Sequence, residues 1–212
     1  MYRRRLRLWL KAQSRMRVLE HLKRPAMAST SAPANDAADD VAYSPPARWA
    51  HWIAALLILI TFIIGLTMLR IPQGTWQDSL FDWHRSVGAT VLALAVLRLM
   101  WRLWNPAPEL PSGMPTWMRV SARANHWLLY LFMLVLPIIG WLGSSAFGAP
   151  VHIYALFDLP PLVKPNRPLA DAILLLHRVG AFALAGLVLL HVAVVLYHVF
   201  IRRDGVLRRM IG

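Results

Sequence analysis

Four apolar runs constrain this chain more than any other feature. They lie at about Ala50 to Leu69, Phe81 to Leu103, Asn125 to Phe147 and Ala172 to Ile201. A hydrocarbon core roughly 30 Å thick takes about 20 apolar residues of helix to cross. Water is absent there, so backbone N–H and C=O groups must be satisfied within each segment, and helices do this. The expected fold is therefore all-α, an integral membrane four-helix bundle. The spans and their connections use most of the chain after residue 45, which leaves no room for a second globular domain.

Charge follows the same layout. Only 16% of residues are charged, yet the formal net charge is +13, carried by 20 Arg and 3 Lys. On a soluble protein such an excess suggests nucleic acid, but here most of it flanks the spans, where basic residues set topology and meet anionic lipid. No nucleic-acid partner is expected. Residues 1–26 hold nine Lys or Arg and no long apolar run, so they do not resemble a cleaved secretory signal. Residues 27–46 form an Ala/Ser/Pro/Asp linker. The expected organisation is a basic arm and linker over 1–46, with the arm readable as an extension ahead of Met27, followed by the membrane domain over 47–212.

The basic connections place both termini in the cytoplasm. The second connection has Arg98, Arg102, Arg119 and Arg123, and the tail has Arg202, Arg203, Arg208 and Arg209. The first and third connections mix Arg or Lys with Asp, as expected of outer loops.

Six of eight histidines sit in or at the edge of the spans: His51, His84, His126, His177, His191 and His198. An ionisable group at membrane depth is costly without a partner and is a functional candidate by default. His177 and His191 are 14 residues apart, so they point within about 40° of each other and lie about 21 Å apart along one helix. His198 extends the stripe. Two imidazole levels on one face are what two metal-bearing macrocycles stacked across a bilayer require. By depth, His51 matches His191 on the inner side and His84 matches His177 on the outer side; an inner pairing through His126 stays open, because sequence does not rank helix neighbours. A non-haem metal would need three or four ligands in one cluster, and here they fall into pairs. The chain has no cysteine, so covalent c-type haem and Fe–S centres are excluded.

The outer histidines share a local pattern, His84-Arg85-Ser86-Val87-Gly88 and His177-Arg178-Val179-Gly180. Gly88 and Gly180 can leave room for a porphyrin edge, and Arg85 and Arg178 can fork onto propionates. Helix packing and topology are the competing explanations of those glycines and arginines.

From about Pro46 to Ile211 the chain resembles the bacterial cytochrome b561 family of four-helix di-haem proteins, related to the cytochrome b subunits of nickel-iron hydrogenases. The resemblance rests on RWAHW at His51, DWHRSVG at His84, VLRLMWRLWNPAPELP, NHWLLYLFMLVLPIIGW from His126, LLHRVG at His177 and LLHVAVVLYHVFIRRDGVLRRM at the end. It implies two non-covalent haem b groups, with axial ligands at His51, His84, His177 and His191, in a bacterial inner membrane. It also implies electron transfer to ubiquinone, with superoxide as donor in at least one member type. The second function class it implies is an anchor subunit that links a partner dehydrogenase or hydrogenase to quinone. A haemless transporter is the remaining alternative. Outer-sphere electron transfer needs no catalytic nucleophile or base. Arg85, Lys164, Arg167 and Arg178 are candidates to steer an anionic donor, and His126 and His198 are candidates for a quinone site.

Overall fold

The computed structural model describes residues 42–110 and 113–211, and the expected arm and most of the linker lie outside them. Four long helices account for most of it: α1 Pro45–Met68, α2 Thr75–Trp104, α3 Thr116–Phe147 and α4 Arg167–Tyr197. Each starts several residues before the apolar run that announces it. Hydropathy marks only the part that meets lipid, whereas start signals lie in the polar flanks. Pro45 and Pro46 open α1, where the missing N–H costs nothing, and the Asn166 side chain caps α4 by accepting the Leu169 N–H at 3.1 Å. α3 runs on through Pro137 and ends at Gly148, whose φ of +83° provides a left-handed stop.

Helix α1 packs on α2, α2 on α3 and α3 on α4. Small residues make the α1–α2 crossing close: Ala54, Val91 and Ala95 are buried together with Met133 of α3. The two most apolar helices, α1 and α4, are also the most exposed, with Leu56, Ile63, Leu176 and Leu189 all more than half accessible. A soluble fold would bury such faces; lipid covers them here.

Two features depart from the sequence reading. Span four was expected to stay one regular helix to Ile201, but α4 ends at Tyr197 and residues His198–Arg202 wind as a π-turn, closed by the Arg203 N–H onto the His198 carbonyl at 2.6 Å. A short helix α5, Arg208–Ile211, follows and is tied to the start of α1: the Tyr43 N–H donates to the Arg209 carbonyl, and Arg48 to that of Ile211. Contacts with the bundle thus begin at Tyr43, a few residues ahead of the expected boundary after residue 46.

The long connection between α3 and α4 contains a two-stranded hairpin, β1 Val151–Ile153 and β2 Phe157–Leu159, with His152 paired to Asp158. Its turn holds Tyr154 and Ala155 at φ of +51° and +56°, a region that side-chain-bearing residues rarely adopt. Three residues of α2 hold the turn there. The buried Ser86 hydroxyl donates to the His152 carbonyl and accepts the Tyr154 N–H, at 3.0 and 2.9 Å. The Tyr154 hydroxyl meets that of Thr90 at 2.7 Å, and its ring packs on Trp83. Ser86→Ala leaves two main-chain groups unpaired, a loss of about 1–3 kcal/mol in docking. Hydrogen exchange at the Tyr154 amide is expected to quicken roughly ten- to hundredfold; an unchanged rate would remove Ser86 as the pin.

Candidate haem-binding site

The bundle brings four of the six membrane histidines together as two facing pairs. On the hairpin side, His84 of α2 faces His177 of α4, with ring centroids 6.1 Å apart and planes at 82°. Near the chain termini, His51 of α1 faces His191 of α4 at 6.2 Å and 60°. An iron held by two imidazoles, with Fe–N near 2.0–2.1 Å and about 1.1 Å from nitrogen to ring centre, puts the centroids about 6.2–6.4 Å apart. The His51–His191 pair has that spacing, and the His84–His177 pair falls 0.1 Å short of it. His126 of α3 also approaches His191, but at 5.3 Å it is about an ångström too near for a shared iron.

Hydrogen bonds settle the tautomers of the outer pair. The His84 Nδ1 bonds to the Thr61 carbonyl of α1, and the His177 Nδ1 to the Leu136 carbonyl of α3, both at 3.0 Å. A carbonyl only accepts, so each Nδ1 carries the proton and each Nε2 keeps its lone pair for a metal. A glycine stands one turn beyond each carbonyl. A Cβ on Gly65 or Gly140 would lie 3.0 Å from the Cε1 of His84 or His177. Side chains on a helix lean back over the preceding turn, so a residue at i+4 would screen the carbonyl at i. Gly65 and Gly140 uncover it and let the imidazole in.

Around the inner pair the setting differs. The Arg98 guanidinium donates to the His51 Nδ1 at 3.2 Å and lies 5.7 Å from the Tyr130 ring. A guanidinium only donates, so here the His51 proton is on Nε2, and metal binding at Nε2 requires it to move to Nδ1, which leaves Arg98 as a neighbouring cation rather than a donor. The His126 Nδ1 donates to the Ala122 carbonyl in its own helix at 2.7 Å. His51, Arg98, Arg102, His126 and Tyr130 line a cavity of about 260 Å³, with Met210 of α5 at its rim.

Other residues singled out by sequence fall in different places. Arg85 pairs with Asp82 at 3.1 Å and lies over Phe81, and Arg167 pairs with Asp171 at 3.2 Å. Arg178 and Lys164 are exposed and have no ion-pair partner among the described residues. Gly88 faces open space, whereas a Cβ on Gly180 would meet Leu136 at 2.6 Å, so Gly180 serves the α3–α4 packing. His198 is buried but does not line the cavity beside His51: the π-turn and Asp204, whose carboxylate accepts the His198 Nδ1–H at 2.6 Å, hold it within the C-terminal turn. Sequence reasoning passed over Gly65, Gly140 and Arg98. Only Arg98 carried a legible signal, since it follows His84 by 14 residues, the same interval that separates His177 from His191.

Known proteins resemble this chain in sequence. The profile of prokaryotic cytochrome b561 matches residues 42–212. Cytochrome b561 homolog 2 of Escherichia coli strain K12 is 34% identical over 164 residues, covering 76% of this chain and 87% of that protein. Cytochrome b562 of Cereibacter sphaeroides is 30% identical over 168 residues, 76% and 89% of the two chains. A protein of Yersinia pestis named probable superoxide oxidase CybB is 27% identical over 160 residues, 76% and 90%.

Proposed function

The chain belongs to the prokaryotic cytochrome b561 family, multi-pass bacterial membrane proteins that bind haem b and transfer electrons, and on that footing we propose that it is a di-haem superoxide:ubiquinone oxidoreductase of the inner membrane. The observation that carries the reading is the pair of imidazole separations, 6.1 and 6.2 Å, at two levels of one bundle. The membrane domain expected over 47–212 forms the electron-transfer unit, joined by Tyr43 and by Pro45 and Pro46 of α1; the basic arm and linker precede it, and both termini face the cytoplasm. Haem iron at these sites supplies one-electron exchange between its ferric and ferrous states.

The protein's own groups do the rest. His84 and His177 hold the outer site rigid through their carbonyl anchors, so little reorganisation accompanies electron arrival. Lys164 and Arg178, the outer cations without ion-pair partners, attract an anionic donor such as superoxide; Arg85 is largely neutralised by Asp82. Two superoxide ions each give one electron and leave as dioxygen. Ubiquinone takes those two electrons and two protons to become ubiquinol. At the inner cavity we assign the quinone-facing role to His126, whose Nδ1–H is held by Ala122 so that its Nε2 can pick up a proton and pass it to a quinone oxygen. His198 stays with Asp204 in the C-terminal turn. The name of the Yersinia relative supports superoxide as donor.

The test uses purified, haem-loaded protein with no other subunit, an enzymatic source of superoxide and a soluble ubiquinone. One quinol is expected for every two superoxide ions consumed. Quinol formation that appears only after a partner dehydrogenase is added would instead establish the anchor-subunit reading.

A further inference from the structure

The two imidazole pairs sit in opposite electrostatic settings, and the difference traces to one residue. Helix α2 carries His84 at the outer level; 14 residues on, within about 40° of the same face, it presents Arg98 at the inner level, where α4 presents His191. The inner mate of His191 comes from α1 instead, and Arg98 stands against it with its guanidinium 3.2 Å from the His51 Nδ1. Neither Arg98 nor its neighbour Arg102 has a carboxylate partner among the described residues. At the outer level both imidazoles donate their Nδ1–H to main-chain carbonyls, Arg85 is matched by Asp82, and Arg178 is exposed, so that its charge is screened by solvent.

These settings act on iron in opposite directions. An imidazole that donates to a carbonyl is more electron-rich and favours the oxidised metal. A cation in a weakly screened interior favours the reduced metal, because the added electron lowers the local positive charge. We propose that Arg98 sets the inner site at a higher reduction potential than the outer one, making inward electron flow downhill. One electron leaves the outer site and one arrives at the inner site; Arg98 makes no bond and moves no proton, so it acts as a tuning residue. This rests on the di-haem reading above.

Reductive titration of the purified protein, followed by its visible haem bands, tests it. His51→Ala identifies the inner wave by removing it, and in the unaltered protein that wave is expected to be the more positive of two. Arg98→Gln is expected to move it toward more negative potential while the outer wave stays in place, and Arg98→Lys, which keeps the charge, to leave it near its original position. If Arg98→Gln fails to retain the inner haem, the order of the waves in the unaltered and Arg98→Lys proteins still decides. An inner wave below the outer one, or an Arg98→Gln shift that is absent or equal in both waves, overturns the proposal. A single wave in the unaltered protein would contradict the two-site reading itself.

Discussion

Replacing His191 with alanine is expected to halve the haem bound per chain while the protein remains helical and membrane-inserted. Helix α4 contributes one imidazole to each site, His177 on the hairpin side and His191 toward the C-terminal turn, and the mates come from different helices, His84 on α2 and His51 on α1. Each α4 variant therefore removes a different haem, and His177→Ala with His191→Ala removes both. Haem per chain by extraction, together with reduced-minus-oxidised spectra, measures this. His126→Ala separates the two possible inner pairings. With His126 5.3 Å from His191 and bonded within its own helix, its loss is expected to keep both haems and to slow quinol formation. An unchanged haem count in His191→Ala would end the ligand assignment.

Gly140→Val is expected to weaken outer haem binding by roughly 10–100-fold, the usual consequence of disturbing a metal ligand's hydrogen-bond partner. A Cβ there would lie 3.0 Å from the His177 Cε1 and 3.2 Å from its Nδ1, so the ring must leave the Leu136 carbonyl that orients it. The added branches of valine deepen the clash, with an overpacking strain of about 1–3 kcal/mol. Gly65→Val acts the same way on His84 through Thr61. Both variants should spare the inner haem, which neither glycine touches. Haem titration into the apoprotein reads the loss, and Gly186→Val is the control, since Gly186 is exposed and a Cβ there meets nothing within 4 Å. Equal weakening in the control would show that any added bulk, not the uncovered carbonyls, explains the effect.

The outer hairpin and the C-terminal turn show where a linear reading stops. Tyr154 and Ala155 have no turn-forming chemistry of their own, and their positive φ values depend on Ser86, Thr90 and Trp83, all more than 60 residues earlier in the chain. His198 lies on the imidazole stripe as long as the helix is assumed regular. The π-turn and Asp204 take it off that stripe.

Sequence alone was enough for the four membrane helices, the two-level spacing of His177 and His191, and the exclusion of covalent haem. Hydropathy, helical period and residue type are all properties of a segment by itself. The tertiary structure decided which mate each imidazole meets, that Gly65 and Gly140 stand against the His84 and His177 rings, and that Arg98 stands beside His51. Those depend on how closely two helices approach and which carbonyl or charge one turns toward the other, and no single segment carries that information.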